Sequence, residues 1–415
     1  MTQTDAMEPA RLAESISAFD AKLRETRAYA TEDPIDVSLL PQMLSQEEYA
    51  RTSHVCKSVI ETAFAVLADY LSDRAQPPKL PFNDQLLSLP RPKRDLIGNV
   101  RMDFLPHDGK LSLIELNFVN VSGIEYATQA ASSLQEVVRE YARCDVLRPV
   151  HAMKRRLLED DVSSLLILTK DNPNPNSKND WEMIAERLAP EIHATAIPRA
   201  RYHDLRFKDR LPYLDGVVYD AFYLRTFDGP ETIGQDLLFC KRFLSSNAII
   251  YDNPQTMLLE DKDLRVISER NPELREYLPK IYDPQAVPAV IDIKDLVLKV
   301  RDAHSGKGVF FNPEHVNIPG AILQEKILAD SRYVVTVQGN KGHATADLAV
   351  HCSYRYDLHR RTLKRFEIGG YFSRFSLTGP VVNLCQGGGI IPVLVQRDGG
   401  VQQDDEKLTE TYQGS

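Results

Sequence analysis

Arg101, Asp103, Glu115 and Asn117 are the residues whose types and spacing most directly suggest chemistry. They lie in two alternating runs on either side of Asp108-Gly109, a dipeptide that favours a tight hairpin turn. Strands are therefore expected over 99–105 and 111–117. With a three-residue loop at 108–110, Asp103 falls opposite Glu115 and Arg101 opposite Asn117. Alternation then places these four on one face and Phe104, Ile114 and Leu116 on the other. Opposed carboxylates repel, so a cation belongs between them, and removing either charge is expected to raise the melting temperature of the metal-free protein. Asp, Glu and an Asn amide are hard oxygen donors that suit magnesium bridging to phosphate. The plainer alternative is a solvated hairpin in which Arg101 neutralises the acids.

Three further segments carry candidate chemistry. Ser122-Gly123-Ile124-Glu125 has capping-box spacing, which would bring free N–H groups and the positive end of a helix dipole just past Asn117. That is a place for an anionic substrate group, or simply a well-made helix start. Lys299 sits inside an apolar strand and is followed by Gly306, Lys307 and Gly308. A buried lysine needs an anion, and glycine loops let backbone amides approach phosphate. The pattern is neither a P-loop nor G-x-G-x-x-G. Gln324, Glu325 and Lys326 end another apolar run, where they meet an adenine edge or serve as an ordinary strand exit. Arg374, near the glycines at 387–389, is a phosphate clamp or a surface arginine. His351 and His359, eight apart, are taken as surface residues, and no H-E-x-x-H or G-x-S-x-G motif is present.

The elements that must position these residues define an α/β (α+β) chain. Helices are expected over 9–30 and 45–75, the second opened by a Ser45/Glu48 capping box, followed by a proline-rich connector over 76–96. A helix from about 123 to 142 follows the hairpin. Leu165–Leu168 and Gly216–Tyr219 read as strands flanking a helix at Trp181–Leu188, which together make a small parallel layer. The loop Asn172–Asn176 lies at the end of that layer where ligands tend to bind. The expected divisions are 1–95, a helical segment and connector; 96–145, the hairpin and its helix; 146–238, a small α/β substrate domain; 239–396, nucleotide-binding lobes; and 397–415, a polar tail.

Composition narrows the function classes. The net charge of −9 makes nucleic-acid backbone a poor partner. The longest uncharged stretch, Phe375 to Gln396, is broken by Pro380, Pro392 and three glycines, so no membrane span is expected. Five scattered cysteines without C-x-x-C suit a reducing compartment. The first fourteen residues are polar and show no signal-peptide pattern, which gives a cytoplasmic expectation.

These pieces, in this order, resemble the circularly permuted branch of the ATP-grasp superfamily that includes the glutathionylspermidine synthase-like ligases. The R-x-D-F and E-x-N pattern is matched by Arg101, Asp103, Phe104, Glu115 and Asn117, and the lysine–glycine segment by Lys299, Gly306, Lys307 and Gly308. Asp215–Arg225 looks like the substrate-domain strand of those proteins, and Val382–Gly389 like their C-terminal segment. Two departures stand out. Val300 replaces the usual proline after the lysine, and no threonine-rich stretch follows Asn117.

The resemblance implies an ATP-dependent carboxylate–amine ligase. Magnesium would be held on Asp103, Glu115 and Asn117, and ATP on Lys299, the 306–308 loop and the 324–326 edge. Arg101 and Arg374 would offset charge in the reaction, while Ser122, Gly123 and Arg225 contact substrate. The partners expected are a small-molecule carboxylate and an amine, with no nucleic acid and no membrane; a homodimer is compatible with the sequence. A phosphotransferase and a non-catalytic nucleotide-binding protein are the alternatives.

Overall fold

The computed structural model describes residues 9–78, 80, 82–119, 121–225, 239–301, 303, 308–313, 318–384 and 387–397. Gly306, Lys307 and the polar tail from 398 onward lie outside them. The Asp108-Gly109 hairpin forms as strands β1 (Leu96–His107) and β2 (Lys110–Asn117). Asp103 pairs with Glu115 and Arg101 with Asn117, as the sequence implies, but by another route. The turn has two residues, Asp108 and Gly109, both at positive φ, the geometry whose twist matches the strands. The pairing then runs His107–Lys110 to Phe104–Leu113, and Ile114 is left over as a bulge before Asp103. The shorter turn and the extra residue cancel.

This hairpin is embedded in an 11-stranded sheet. Four parallel strands, β3 (Ser164–Thr169), β4 (His193–Pro198), β5 (Ala221–Arg225) and β6 (Ile249–Tyr251), join it through a Tyr251–Ile97 pairing. The parallel layer therefore continues the main sheet rather than forming a separate one. Strands β7 (Leu296–Val300), β8 (Val309–Phe311) and β9 (Ala321–Glu325) build a small antiparallel lobe with Ile281–Tyr282. The chain then returns as β10 (Ser331–Val335), β11 (Lys341–Ala346), β12 (Leu348–Asp357), β13 (Thr362–Ser376) and β14 (Gly389–Ile391). The order is β10-β11-β13-β12-β1-β6-β5-β3-β4, with β2 on β1 and β14 on β13.

Several boundaries differ from expectation for local reasons. The second buried strand is β5, all five residues of which are buried, and not 216–219. Asp215 and Gly216 both sit at positive φ and form a turn, leaving only Val217–Val218 as a short strand in a separate sheet. The helix before it spans Pro175–Leu188 and starts earlier than Trp181. Asn174 accepts from Ser177 N–H and Pro175 fills the first turn, so part of the expected loop is a helix cap. The proline-rich connector contains a one-turn helix at Asn83–Leu87. The helix Gln46–Leu71 starts at the Ser45/Glu48 capping box as read.

Alternation on the central strands divides the molecule. One face of β1 and β12 presents Val100, Met102, Phe104, Leu348, Val350 and Cys352 to a core with Val55, Val59, Phe64 and Leu67 of the Gln46–Leu71 helix. Burying such side chains stabilises by about 1.5–3 kcal/mol each. The other face carries Asn99, Arg101 and Asp103 opposite Ser353, His351 and Ala349, and it is buried too. A polar stripe thus runs through the middle of the protein. None of the described helices is long and apolar enough to cross a membrane.

The two faces meet tightly at Gly98, where a Cβ would overlap Asp252 Oδ1 and stand 2.8 Å from Tyr354 Oη. Gly98→Ala is expected to cost about 1–3 kcal/mol, the usual penalty of overpacking. Urea denaturation checks it; a variant with native stability would show that the sheet yields there.

Candidate active site

Asp103 is the centre of the polar stripe and is fully buried. Arg101 grips it with two parallel bonds, Nε to Oδ1 at 2.7 Å and Nη2 to Oδ2 at 2.9 Å. Arg374, reaching from β13, adds Nη2 to Oδ2 at 2.9 Å. Arg374 also binds Asp347 through Nε at 2.8 Å and through Nη2, while its backbone N–H donates to Asp347 Oδ1 at 2.7 Å. Burial pushes the Asp103 pKa up, but Arg101 and Arg374 outweigh it and hold the carboxyl at about 2. Two carboxylates and two guanidiniums therefore balance within the sheet. This corrects two expectations. Arg374 is no surface arginine, its side chain being 13% exposed, and Asp103 is held by attraction instead of repelled by Glu115.

That arrangement decides which oxygens remain for a cation. Asp103 Oδ2 accepts from both guanidiniums and is approached by Asn117 Nδ2 at 3.5 Å, and Oδ1 accepts from Arg101, so both carboxylate oxygens are already engaged. The Asn117 amide oxygen and the half-buried Glu115 carboxylate have no hydrogen bond or ion pair among the described residues. Two such hard donors beside a nucleotide phosphate fit magnesium, which keeps several non-protein ligands. Among the described residues no group of three or more His, Cys, Asp and Glu side chains is arranged to hold a metal.

Lys299 lies across from the hairpin, buried, and its Nζ donates to Ile114 O at 3.2 Å. The hairpin bulge thus docks the small lobe. Burial lowers the Lys299 pKa to about 8; Lys262 lowers it further, and Glu115 and Asp103 oppose. Lys262 donates to Val300 O and Ala303 O. Val297, Lys299, Ile322 and Gln324 share one face of the lobe, and Leu296, Leu298 and Leu323 pack on the other. Of the 324–326 trio, only Gln324 shares the Lys299 face, and its buried Oε1 has no hydrogen-bond partner among the described residues. The Glu325 carboxylate takes Lys280 N–H, and Lys326 Nζ donates to Lys294 O and Asn312 Oδ1. Gly308, at φ +74, is required, because a Cβ would stand 2.7 Å from that of Ala303.

Beyond Asn117 the capping-box expectation fails. The helix spans Tyr126–Val137, and Ser122 does not cap it. Asp180 Oδ1 instead takes the N–H groups of Glu125 (2.8 Å) and Tyr126 (3.4 Å), so a protein carboxylate fills the place proposed for a substrate anion. Ser122 Oγ accepts from Arg101 Nη1 at 3.2 Å. Gly123, at φ +85, lies against Phe372 and Tyr126. Arg225 ends β5 with 2% exposure; it donates to Tyr223 Oη at 3.1 Å and stands 4.0 Å from Asp180. Its Nε, Asp180 Oδ2 and Trp181 Nε1 have no hydrogen-bond partner among the described residues.

Sequence reasoning missed Asp347, Asp180 and Glu260, which no motif marks. Glu260 Oε1 accepts from Phe118 N–H at 2.5 Å and Val119 N–H at 2.6 Å, fixing the chain just after Asn117. Burial raises its pKa to about 8 against those bonds, with Glu115 adding to the rise. His351, expected on the surface, is 1% exposed. His359 is exposed, as expected.

No protein-family model matches the chain, and no curated protein matches it. Solved structures do. A glutathione synthetase-like effector from Globodera pallida, in its apo form, shares the fold with a TM-score of 0.73 at 14% identity, over 95% of this chain and 99% of that one. A putative gamma-glutamylcysteine synthetase from Methylobacillus flagellatus KT gives a TM-score of 0.41 at 12% identity, over 79% and 86%, too remote to support an argument. The chain therefore has a glutathione synthetase-like fold; at this identity the likeness reaches the architecture alone.

Arg374→Met leaves Asp347 buried without its partner and should cost about 3–5 kcal/mol. Arg374→Met/Asp347→Leu should recover much of this, because the ions leave together; equal stability of the two variants contradicts the pairing. Glu260 supplies a pH test. Its folded value near 8 exceeds the ordinary 4.5, so its contribution to stability falls as pH rises between them. Glu260→Gln keeps the accepting oxygen and removes the titration. The melting-temperature difference, variant minus native, should grow from pH 5 to pH 8, and a flat difference would refute the assignment.

Proposed function

We propose that the protein is an ATP-dependent carboxylate–amine ligase of the ATP-grasp type, in its circularly permuted form. The observation that carries this reading is Lys299. A fully formed strand buries an ammonium between the hairpin bulge and the uncommitted carboxylate of Glu115, on the same lobe face as Gln324. Folding gains nothing from such a lysine, since burial disfavours its charge. A nucleotide phosphate supplies the missing anion. The glutathione synthetase-like fold supports the same reading, as that name belongs to a ligase.

Glu115 and the Asn117 amide oxygen would hold Mg2+, which would supply charge neutralisation at the phosphates. The small lobe binds ATP through Lys299, the backbone at Gly308 and Gln324. A substrate carboxylate oxygen attacks the γ-phosphorus, the bond to ADP breaks, and an acylphosphate forms. The amine nitrogen then attacks the acyl carbon, loses a proton, and expels phosphate, leaving an amide. Arg101 and Arg374 stand beside these steps with positive charge fixed in advance by Asp103 and Asp347, so little reorganisation accompanies the reaction. Arg225, at the C-terminal end of a parallel strand where ligands collect, anchors a substrate carboxylate, and Ser122 orients Arg101.

The direct experiment measures ADP release from Mg-ATP with amino acids and polyamines in pairs, and uses mass spectrometry to find the condensed product. Amide plus free phosphate is expected; a stable phosphorylated acceptor would identify a phosphotransferase. Lys299→Met should fold normally and bind ATP more weakly by about 1–3 kcal/mol, the scale of a charged hydrogen bond. Because Lys299 titrates near 8, native ATP affinity should decline as pH rises above that value, and the decline should vanish in the variant. Unchanged ATP titrations for Lys299→Met would place the nucleotide elsewhere.

A further inference from the structure

His351 is the most anomalous group in the polar stripe. It sits on β12 directly across from Arg101 on β1, so the two side chains share a face. On its other side it pairs with Gly370 of β13, which has no side chain to bond it. The residue is 1% exposed, and neither Nδ1 nor Nε2 has a hydrogen-bond partner among the described residues. A histidine serving only the core keeps at least one ring nitrogen satisfied, because an unmade buried bond is expensive. The imidazole is neutral here. Burial drives its pKa down to about 3, the positive charges of Arg101, Arg225 and Arg374 act the same way, and Asp103 opposes. A neutral ring offers one N–H and one lone pair.

The positions of these arginines say what meets the ring. Arg101 stands at the reacting end of the proposed site and Arg225 at the anchoring end, and both are near enough to His351 to act on it electrostatically. Beside Arg225, Trp181 Nε1 is a further buried atom with no hydrogen-bond partner among the described residues, and Asp180 Oδ2 makes only the 4.0 Å ion pair with Arg225.

We propose that His351 is a specificity-determining residue that hydrogen-bonds an N–H-bearing group of the acid substrate held at Arg101, the residue it faces across the strand pair. The inference rests on the ligase reading. It selects substrates with an amino or amide nitrogen between or beside their carboxylates and disfavours aliphatic acids of the same length. A purely apolar residue at 351 would lack this selection. Gln, which also carries one acceptor and a donor, would keep it.

The test uses the full-length protein with Mg2+ and a non-hydrolysable ATP analogue. The probes are two pairs, L-glutamate against glutarate and L-aspartate against succinate. Native protein and His351→Gln should bind the nitrogen-bearing member of each pair more tightly by at least about tenfold, the scale of one buried hydrogen bond. His351→Phe should bind both members of a pair within twofold. Without ligands, the melting temperature of His351→Phe should match or exceed the native value, because two unmet bonds are removed. A clear fall instead would show that the imidazole is structural and overturn the proposal, as would discrimination that persists in His351→Phe. If the native protein binds the ATP analogue and no probe, the ligase reading itself fails and the inference goes with it.

Discussion

The placement of Asp103 between two guanidiniums is the constraint on which the rest of this protein depends. A carboxylate with no exposure in the middle of an 11-stranded sheet is tolerable only if its charge is answered at close range. Arg101, two residues away on the same strand, and Arg374, from β13, answer it. The pairing ties β1 to a strand two positions away across β12. It also holds Arg374 against Asp347, so the second arginine is fixed in turn. With Asp103 committed, Glu115 and Asn117 are left at the end of the hairpin as the available hard oxygens. Glu260 pins the backbone that follows them. Repulsion between carboxylates, which the sequence invites one to assume, is thus replaced by an ion cluster formed before any ligand arrives.

The sheet divides the labour. Its antiparallel half, together with the small lobe, gathers the charged groups Arg101, Arg374, Lys299 and Glu115. Its parallel half ends at Arg225, beside Asp180 and Trp181, with polar atoms that have no hydrogen-bond partner among the described residues. His351 sits in the antiparallel half, directly across from Arg101. Because the halves belong to one continuous sheet through the Tyr251–Ile97 pairing, Arg101 and Arg225 are held at a fixed spacing. That rigidity suits a reaction whose catalysis is mostly positioning.

How much of this was legible in the sequence depended on whether the determining interaction was local. The Asp108-Gly109 turn and strand alternation were enough to pair Asp103 with Glu115. They could not show the two-residue turn and the Ile114 bulge, because the two changes leave the same register. Ser45 and Glu48 announce a capping box and make one. Ser122 and Glu125 have the same spacing and do not, because Asp180, 55 positions away, takes the N–H groups they would have served. His351 looked like an ordinary polar position in an alternating strand. Nothing local reveals that β12 is covered on both faces. Asp347 and Glu260 act only through tertiary contacts, so no motif could have flagged them. The strand at β5 was misplaced by a few residues because the apolar pair Val217–Val218, which forms only a short strand after the turn at Asp215 and Gly216, precedes it.

The most direct test of the central claim is positional isotope exchange in ATP labelled with 18O at the β,γ-bridge, incubated with Mg2+ and the acid substrate and without amine. Reversible transfer of the γ-phosphoryl group to the carboxylate frees the β-phosphate to rotate, so the bridging label should scramble into its non-bridging positions. The account predicts scrambling that requires the carboxylate and disappears in Glu115→Gln. Tight ATP binding with no scrambling, in the presence of an acid that supports product formation, would contradict it.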